Sequence, residues 1–224
     1  MRILGIETSS VRGSVALLDE LVTIVSLSHE RENAHGESIL PLVERALAEA
    51  GWSAAQLDRV AVGLGPGSFT GLRVGIAIAQ GISEGLEVPL VGVPSLYAMA
   101  LAVPAEQYGV RCALLDARKG ELFTALYDEH GQELAAARVA ASTESLAQLG
   151  AGHSDVLFLG GGVALLPNLP RVFRSSETDL PHARWTALAA RSASPTGLLE
   201  PLYVRHDVAT VPRLPPNPLR SGPR

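Results

Sequence analysis

The glycine-rich stretch at residues 63–81, GLGPGSFTGLRVGIAIAQG, combines residue types that could hold a phosphate or present a nucleophile. Its spacing fits neither kind of motif. Gly71 is followed by Leu-Arg, so the lysine of a phosphate-binding P-loop is missing. Ser68 lacks the glycines two residues away on either side that a hydrolase turn needs, and Thr70 replaces the last glycine of a dinucleotide fingerprint. What remains is a strand, a tight turn and a helix start, where Ser68 or Thr70 caps the helix or its free N–H groups hold an anion.

The helix that follows carries small residues at a regular spacing. Gly71, Gly75 and Ala79 recur every four residues and therefore form one smooth face of a helix predicted at about 71–86. Glycine inside a helix costs about 1 kcal/mol relative to alanine, so two glycines on one face predict a very close packing partner. That partner is the helix predicted at 36–51, the sheet, or another protein.

The first hundred residues predict an α/β unit in which three strands form an antiparallel meander and later strands alternate with helices. The predicted strands are 2–7, 14–19, 21–28, 58–65 and 88–93, and the predicted helices are 36–51, 71–86 and 94–103. Helix 36–51 is amphipathic, and we expect Ser38 to cap its start and Gly51 to end it.

The chain then repeats itself. Residues 2–20 can be laid over residues 111–129 without a gap, and residues 58–67 resemble residues 154–163. Two strand-plus-glycine units in the same order predict a duplicated fold, although segments this short also match by chance. We predict an N-terminal lobe at 1–104, a smaller C-terminal lobe at 105–210 and a disordered tail at 211–224, which is rich in proline and arginine.

Composition excludes several kinds of site. Cys112 is the only cysteine, which excludes an intramolecular disulfide and a cysteine-based zinc cluster. The formal net charge of −5 gives no overall attraction to nucleic acid or to an anionic membrane. The start of the chain lacks the apolar core of a signal peptide, and no apolar run approaches the roughly 20 residues of a membrane span. We therefore expect a soluble cytoplasmic protein.

Four segments together resemble the TsaB (YeaZ) family: ILGIETSS…SVAL, GPGSFTGLRVGIAIAQG, GVPSLYAMA and LLDARKGELFTALY. The match is specific over residues 1–128, and EPLYVR at 200–205 resembles the closing segment of the family. The resemblance implies the fold of the actin, sugar kinase and heat-shock ATPase superfamily. That fold has two ribonuclease-H-like lobes, which arose by duplication, and the second lobe is reduced here.

The resemblance also implies a non-catalytic scaffold that binds and activates TsaD. TsaD transfers a threonylcarbamoyl group to the adenosine beside the anticodon in tRNAs reading ANN codons. TsaE joins the assembly, tRNA is reached indirectly through the complex, and the chain alone forms a homodimer through much the same helical surface. The residues expected at this interface are Ile39, Leu42, Val43, Ala46, Gly71, Arg73, Gly75 and Ala79.

The sequence lacks the catalytic residues of the related transferase. TsaD binds its metal through a His-x-x-x-His pair, whereas His35 here is followed four positions later by Ile39. We therefore expect no catalytic residue and no metal site. The alternative functions are a small-molecule kinase or ATPase and a glycoprotease-like peptidase of the same superfamily. ATP turnover by the isolated chain would distinguish an ATPase from a scaffold.

The resemblance places a vestigial nucleotide cleft between the lobes. In the superfamily the first hairpin carries an aspartate and glycines that meet phosphate and metal, but here Glu7 is its only acid. The residues expected in the cleft are Glu7, Thr8, Ser9, Asp116, Arg118, Gly160 and Gly161. Acids and bases at such a hairpin mouth also form plain interlobe salt bridges. We expect no cofactor, with weak ATP or ADP binding left open.

Overall fold

The computed structural model describes residues 1–31, 34–104, 106–107, 109–141, 155–197 and 199–204. The strands in these residues are β1 (Arg2–Glu7), β2 (Arg12–Asp19), β3 (Val22–Glu30), β4 (Arg59–Gly63), β5 (Leu90–Val93), β6 (Val110–Arg118), β7 (Glu121–Tyr127), β8 (Glu133–Ala141), β9 (Val156–Leu159) and β10 (Val172–Phe173). The helices are α1 (His35–Ala50), α2 (Phe69–Leu86), α3 (Ser95–Leu101), α4 (Ser176–Asp179) and α5 (Ala183–Ala190). The predicted tail at 211–224 lies outside the described residues.

The strands form two five-stranded mixed sheets with the same internal arrangement. Their orders are β3-β2-β1-β4-β5 and β8-β7-β6-β9-β10. In the first sheet β1 pairs antiparallel with β2 and parallel with β4. In the second sheet β6 pairs in the same way with β7 and β9. The predicted meander and the predicted mixed α/β architecture are confirmed, and the matching strand orders agree with a duplication.

The two copies of the first hairpin differ by one residue in register. Gly5 pairs with Ala16 in the first sheet, whereas Leu114, its counterpart in the gapless comparison, pairs with Thr124 rather than with Ala125. The turn of the second hairpin is shorter, because β7 begins three residues after β6 ends. A comparison without a gap therefore aligns one strand of the hairpin correctly and the other one residue out of register.

The first sheet is covered on both faces. Helices α1 and α2 contact one another and pack on one face, in a core that contains Leu4, Ile39 and Ile76. Helix α5 packs on the other face against β1, β2 and β4. Helix α5 lies within residues 105–210, which the sequence assigns to the second lobe, yet it packs on the first sheet. The predicted boundaries of the two lobes stay a prediction.

The second sheet shares a helix with the first. Leu96 and Met99 of α3 pack in the core of the second sheet, while Ala98 of the same helix packs with α5 on the first. Cys112 of β6 is fully buried, and burial raises the pKa of its thiol to about 12. It is the small buried hydrophobic residue that the sequence indicates.

The ends of the two long helices test the predicted caps. Ser68 accepts a hydrogen bond from the Gly71 amide, at 3.1 Å, and so caps α2 as predicted. Gly51 ends α1 in the left-handed conformation, as predicted. The prediction that Ser38 caps α1 is wrong, because the helix already begins at His35 and the Ser38 amide donates to the Ala34 carbonyl.

Candidate functional site

The glycine face of α2 packs against the first turn of its own chain. A Cβ at Gly75 would overlap the hydroxyl of Thr8, and a Cβ at Gly71 would overlap the carbonyl oxygen of Thr8. Just before the helix, a Cβ at Gly67 would overlap the carbonyl of Ser9, which accepts a hydrogen bond from the Ser68 amide at 2.7 Å. The glycines therefore let the helix approach the turn that follows β1.

Most of the predicted interface residues are consequently inaccessible. Two sets of these residues lie on the buried sides of their helices. They are Gly71, Gly75 and Ala79 on α2, and Ile39, Val43 and Ala46 on α1. Leu42 is half-buried against the same core. Placing the six buried residues on a partner surface was wrong, whereas the place of Leu42 at an interface stays a prediction. An apolar stripe at helical spacing fits the sheet of its own lobe as well as it fits another protein, so the spacing could not decide between them.

Arg73 is the one predicted interface residue that is exposed. Its guanidinium lies over the ring of Phe69, at 3.8 Å from the ring centre. Its Nε donates a hydrogen bond to the Tyr203 hydroxyl at 2.9 Å. The side chain therefore fixes the segment 199–204 on the start of α2.

The outward sides of α1 and α2 leave apolar and small residues in contact with solvent. Leu40 is 47% exposed on α1, and Ala77, Gly81 and Gly85 follow at intervals of four residues on the exposed side of α2. A Cβ at Gly81 or Gly85 would meet no atom within 4 Å. We call Leu40, Ala77, Gly81 and Gly85 the outer helical face.

Glu7 is fully buried at the end of β1, where four donors surround its carboxylate. Oε1 accepts hydrogen bonds from the amides of Thr8 and Ser9, both at 2.9 Å. Oε2 accepts from the hydroxyls of Ser95 and Thr186, at 2.9 and 3.3 Å. Burial raises the pKa of this carboxyl above its ordinary value, against the effect of these hydrogen bonds. Glu7 thus joins β1 to α3 and α5 and does not form the expected interlobe salt bridge.

A cavity of about 500 Å³ lies between the loops of the two sheets. Of the residues predicted in the nucleotide cleft, Ser9, Asp116 and Arg118 line it. Leu115 and Phe123 contribute apolar wall. The loops of the two sheets therefore enclose a cavity where the cleft is predicted, and its nucleotide-binding role stays a prediction.

The other predicted cleft residues lie elsewhere. Glu7 and Thr8 are buried behind the turn. Gly160 has a positive φ of 100° and packs so closely on Leu114 that a Cβ would overlap the Leu114 carbonyl oxygen. Gly161 begins a short 3-10 helix that ends at Leu165 and packs against β6. Gly160 and Gly161 therefore pack against β6 and do not line the cavity.

Asp116 holds the tip of the second hairpin. Its Oδ1 accepts a hydrogen bond from the Arg118 amide at 2.6 Å. Arg118 and Lys119 both adopt a positive φ, at 68° and 56°. The Asp116 carboxylate thus stabilises a turn whose positive φ values are rare for residues other than glycine.

Sequence reasoning missed the hydroxyl partners of Glu7. It also missed that residues 199–204, which we call the strap, cover the cavity. Leu199 is buried in the core of the first sheet, the Leu202 amide donates to the Leu64 carbonyl at 2.8 Å, and Tyr203 stacks on Phe69. The only available signal was the EPLYVR segment. Ser95 and Thr186 lie 88 and 179 residues from Glu7, and no local pattern links them.

Within the described residues, no group of three or more His, Cys, Asp or Glu side chains is placed to hold a metal ion. In the same residues, every helix is too short or too polar to cross a membrane.

Comparison with known proteins gives the family. The model of the family TsaD, tRNA N6-adenosine threonylcarbamoyltransferase, matches residues 28–195. The tRNA threonylcarbamoyladenosine biosynthesis protein TsaB of Escherichia coli is 35% identical over 227 aligned residues, which cover 93% of this chain and 96% of that protein. The chain belongs to the TsaB family. Its relatives of that name are tRNA threonylcarbamoyladenosine biosynthesis proteins.

Solved structures agree with the TsaB assignment and with the predicted α/β fold. YeaZ from Pseudomonas aeruginosa superimposes with a TM-score of 0.70 at 30% identity, covering 84% of this chain and 90% of that one. The ethanolamine utilization protein EutJ from Carboxydothermus hydrogenoformans superimposes with a TM-score of 0.56 at 12% identity, covering 84% and 90%. The second likeness concerns the fold alone.

Proposed function

We propose that this TsaB-family chain is a non-catalytic subunit that binds TsaD and activates it for N6-threonylcarbamoylation of the adenosine beside the anticodon in tRNAs reading ANN codons. The observation that carries the proposal is the 35% identity to the Escherichia coli TsaB protein over nearly the whole of both chains. TsaE joins the assembly, and tRNA is contacted through TsaD. The chain forms a homodimer when it is alone, and its proposed location is the cytoplasm.

The environment of Glu7 supports a non-catalytic role. In catalytic members of the superfamily the first hairpin presents an acid to phosphate and metal. Here all four hydrogen bonds to the Glu7 carboxylate come from the chain itself. The neighbouring Thr8–Ser9 turn lies directly beneath the glycines of α2. A carboxylate that is buried and fully hydrogen-bonded in this way serves packing rather than a reacting group.

The outer helical face is the surface that we propose for TsaD and for the homodimer. Leu40 supplies an exposed apolar side chain, and Ala77, Gly81 and Gly85 leave room for a facing helix to approach closely. The face lies on the same two helices as the predicted interface residues, but on their exposed sides. We propose no cofactor for the chain itself, and weak ATP or ADP binding in the 500 Å³ cavity is a separate prediction.

Reconstitution with purified components tests the function. Threonylcarbamoyl-adenylate and substrate tRNA are incubated with this chain alone, with TsaD and TsaE, and with all three proteins, and modified adenosine is quantified by mass spectrometry. We expect no modification by the chain alone and multiple turnover only when all three are present. Turnover by the chain alone would overturn the non-catalytic role. A rate with TsaD and TsaE that does not change on adding the chain would overturn activation.

A further inference from the structure

The cavity between the loops of the two sheets has the size of a small-molecule site. Its volume of about 500 Å³ lies within the roughly 300–1,000 Å³ that ligand pockets usually have. The β1–β2 turn and the loop before α2 form one part of its wall, and β6, β7 and the strap form the rest. The cavity is therefore bounded by segments from both halves of the chain.

Aromatic side chains are concentrated around this cavity. The whole chain contains four phenylalanines and four tyrosines, and three of these eight residues, Phe69, Phe123 and Tyr203, line the cavity. The rings of Phe69 and Tyr203 are in contact, with their centres 5.3 Å apart, and Phe123 belongs to the core of the second sheet. An aromatic ligand would gain both apolar burial and favourable contacts between rings at such a site.

Large apolar side chains remain exposed at the same place. Phe69 and Tyr203 are each 40% exposed, and Leu202 is 38% exposed. Leu115 and Phe123 are buried and add apolar wall. Exposed apolar surface that is grouped in a concave site is the surface that a bound molecule would remove from water.

The strap is fixed in place by contacts with the first sheet and with α2. Leu199 is buried in the core of the first sheet, and the Leu202 amide donates to the Leu64 carbonyl at 2.8 Å. Nε of Arg73 donates to the Tyr203 hydroxyl at 2.9 Å. Because these contacts already hold Leu202 and Tyr203 at the cavity, binding a ligand there would cost little ordering of the chain.

The charges that line the cavity are balanced. Among the described residues, its charged lining consists of Asp116 and Arg118, one of each sign. The Asp116 carboxylate also accepts a hydrogen bond from the Arg118 amide at 2.6 Å. A nucleoside triphosphate carries several negative charges, which need cationic groups to replace the water that they lose. The lining therefore favours an uncharged molecule over a triphosphate.

We propose that this cavity is a binding site for a small uncharged aromatic molecule, which contacts Phe69, Phe123 and Tyr203 and is covered by the strap. The proposal goes beyond the assembly with TsaD, because no residue of the outer helical face lines the cavity. Either proposal can therefore fail while the other one stands.

Binding of N-phenyl-1-naphthylamine, an uncharged aromatic probe whose fluorescence rises in apolar surroundings, tests the site. We expect saturable binding of one probe per chain. Leu202→Asp places a carboxylate in the cavity wall, and it should weaken binding at least about tenfold because the probe would take that carboxylate out of water. Leu165→Asp is the matched control, since Leu165 is 40% exposed against 38% for Leu202, and it should bind as the wild type does.

Circular dichroism checks that both variants fold. If Leu202→Asp does not fold, Val11→Trp takes its place, because the larger side chain fills the cavity from the β1–β2 turn and should cause the same loss. The proposal is overturned if the probe does not saturate, if the cavity variant binds it as tightly as the wild type does, or if Leu165→Asp loses as much affinity.

Competition with ATP distinguishes the two classes of ligand. We expect the probe to stay bound when ATP is present at the same concentration. Displacement of the probe under these conditions would show that the cavity prefers the nucleotide, and it would overturn the assignment to an uncharged molecule.

Discussion

At the scale of single residues, Glu7 shows how the same carboxylate can indicate two different roles. An acid in the turn after the first strand suggested a remnant of a phosphate and metal site. The structure instead surrounds it with two amides and two hydroxyls. Gly63 makes room for it, because a Cβ there would overlap the carboxylate. The Glu7 carboxyl is buried, so we expect its substitution to change the free energy of unfolding.

Glu7→Ala should destabilise the fold by about 3 kcal/mol, because it leaves buried donors without an acceptor. Glu7→Gln keeps an oxygen for the Thr8 and Ser9 amides, and its NH₂ group can donate to the Ser95 and Thr186 hydroxyls, which can then accept. It should therefore cost much less. Chemical denaturation of the three proteins at pH 7 measures both values. Equal losses for the two variants would contradict the hydrogen-bonding role.

The same pair of variants tests the pH dependence. Because burial raises the pKa of Glu7, the folded chain keeps this proton to a higher pH than the unfolded chain does. Its contribution to stability is therefore largest at low pH and is lost as the pH rises through the raised pKa. Glu7→Gln should remove this decline from the stability profile.

At the scale of secondary-structure elements, α2 has two faces that contain small residues for different reasons. On the buried face, Gly71 and Gly75 let the helix approach the Thr8–Ser9 turn. On the exposed face, a Cβ at Gly81 or Gly85 meets nothing within 4 Å. Exposed helical glycines cost stability without a packing return inside the chain, which suits a surface that is covered by another helix.

Gly75→Leu and Gly81→Leu separate the two faces. Gly75→Leu should cost about 3 kcal/mol, or roughly 10 °C in Tm, because the new side chain would displace the Thr8 turn. Gly81→Leu should leave Tm unchanged or slightly raised, since leucine is the better helix former. Calorimetry checks both variants. A stable Gly75→Leu protein would contradict the packing of α2 on its own turn.

The elements themselves were largely predictable from the sequence. Alternating apolar strands, the amphipathic period of α1 and the cap at Ser68 are local signals, and each placed its element within a few residues. The direction in which a buried face points is not local, because it depends on what packs against it. For that reason the period at Ile39, Val43 and Ala46 identified a helix correctly and its partner incorrectly.

At the scale of the whole molecule, the duplication was detectable in the sequence. The return of the chain from its second half to the first sheet was not. Helix α5 and the strap at 199–204 return from the second half to the first sheet and anchor through Ala187 and Leu199. These contacts join residues far apart in sequence, so no spacing predicts them. The result is a closed two-sheet body whose outer helical face remains open to solvent.

The affinity of this chain for TsaD, measured by isothermal titration calorimetry, tests the account most directly. Leu40→Arg places a charge on the outer helical face, and Leu165→Arg changes a residue of similar exposure, 40% against 47%, beside the second sheet. We expect Leu40→Arg to weaken binding at least about tenfold, or 1.4 kcal/mol, and Leu165→Arg to bind as the wild type does. Wild-type affinity in a folded Leu40→Arg protein, or an equal loss in both variants, would contradict the proposed role of α1 and α2 in assembly.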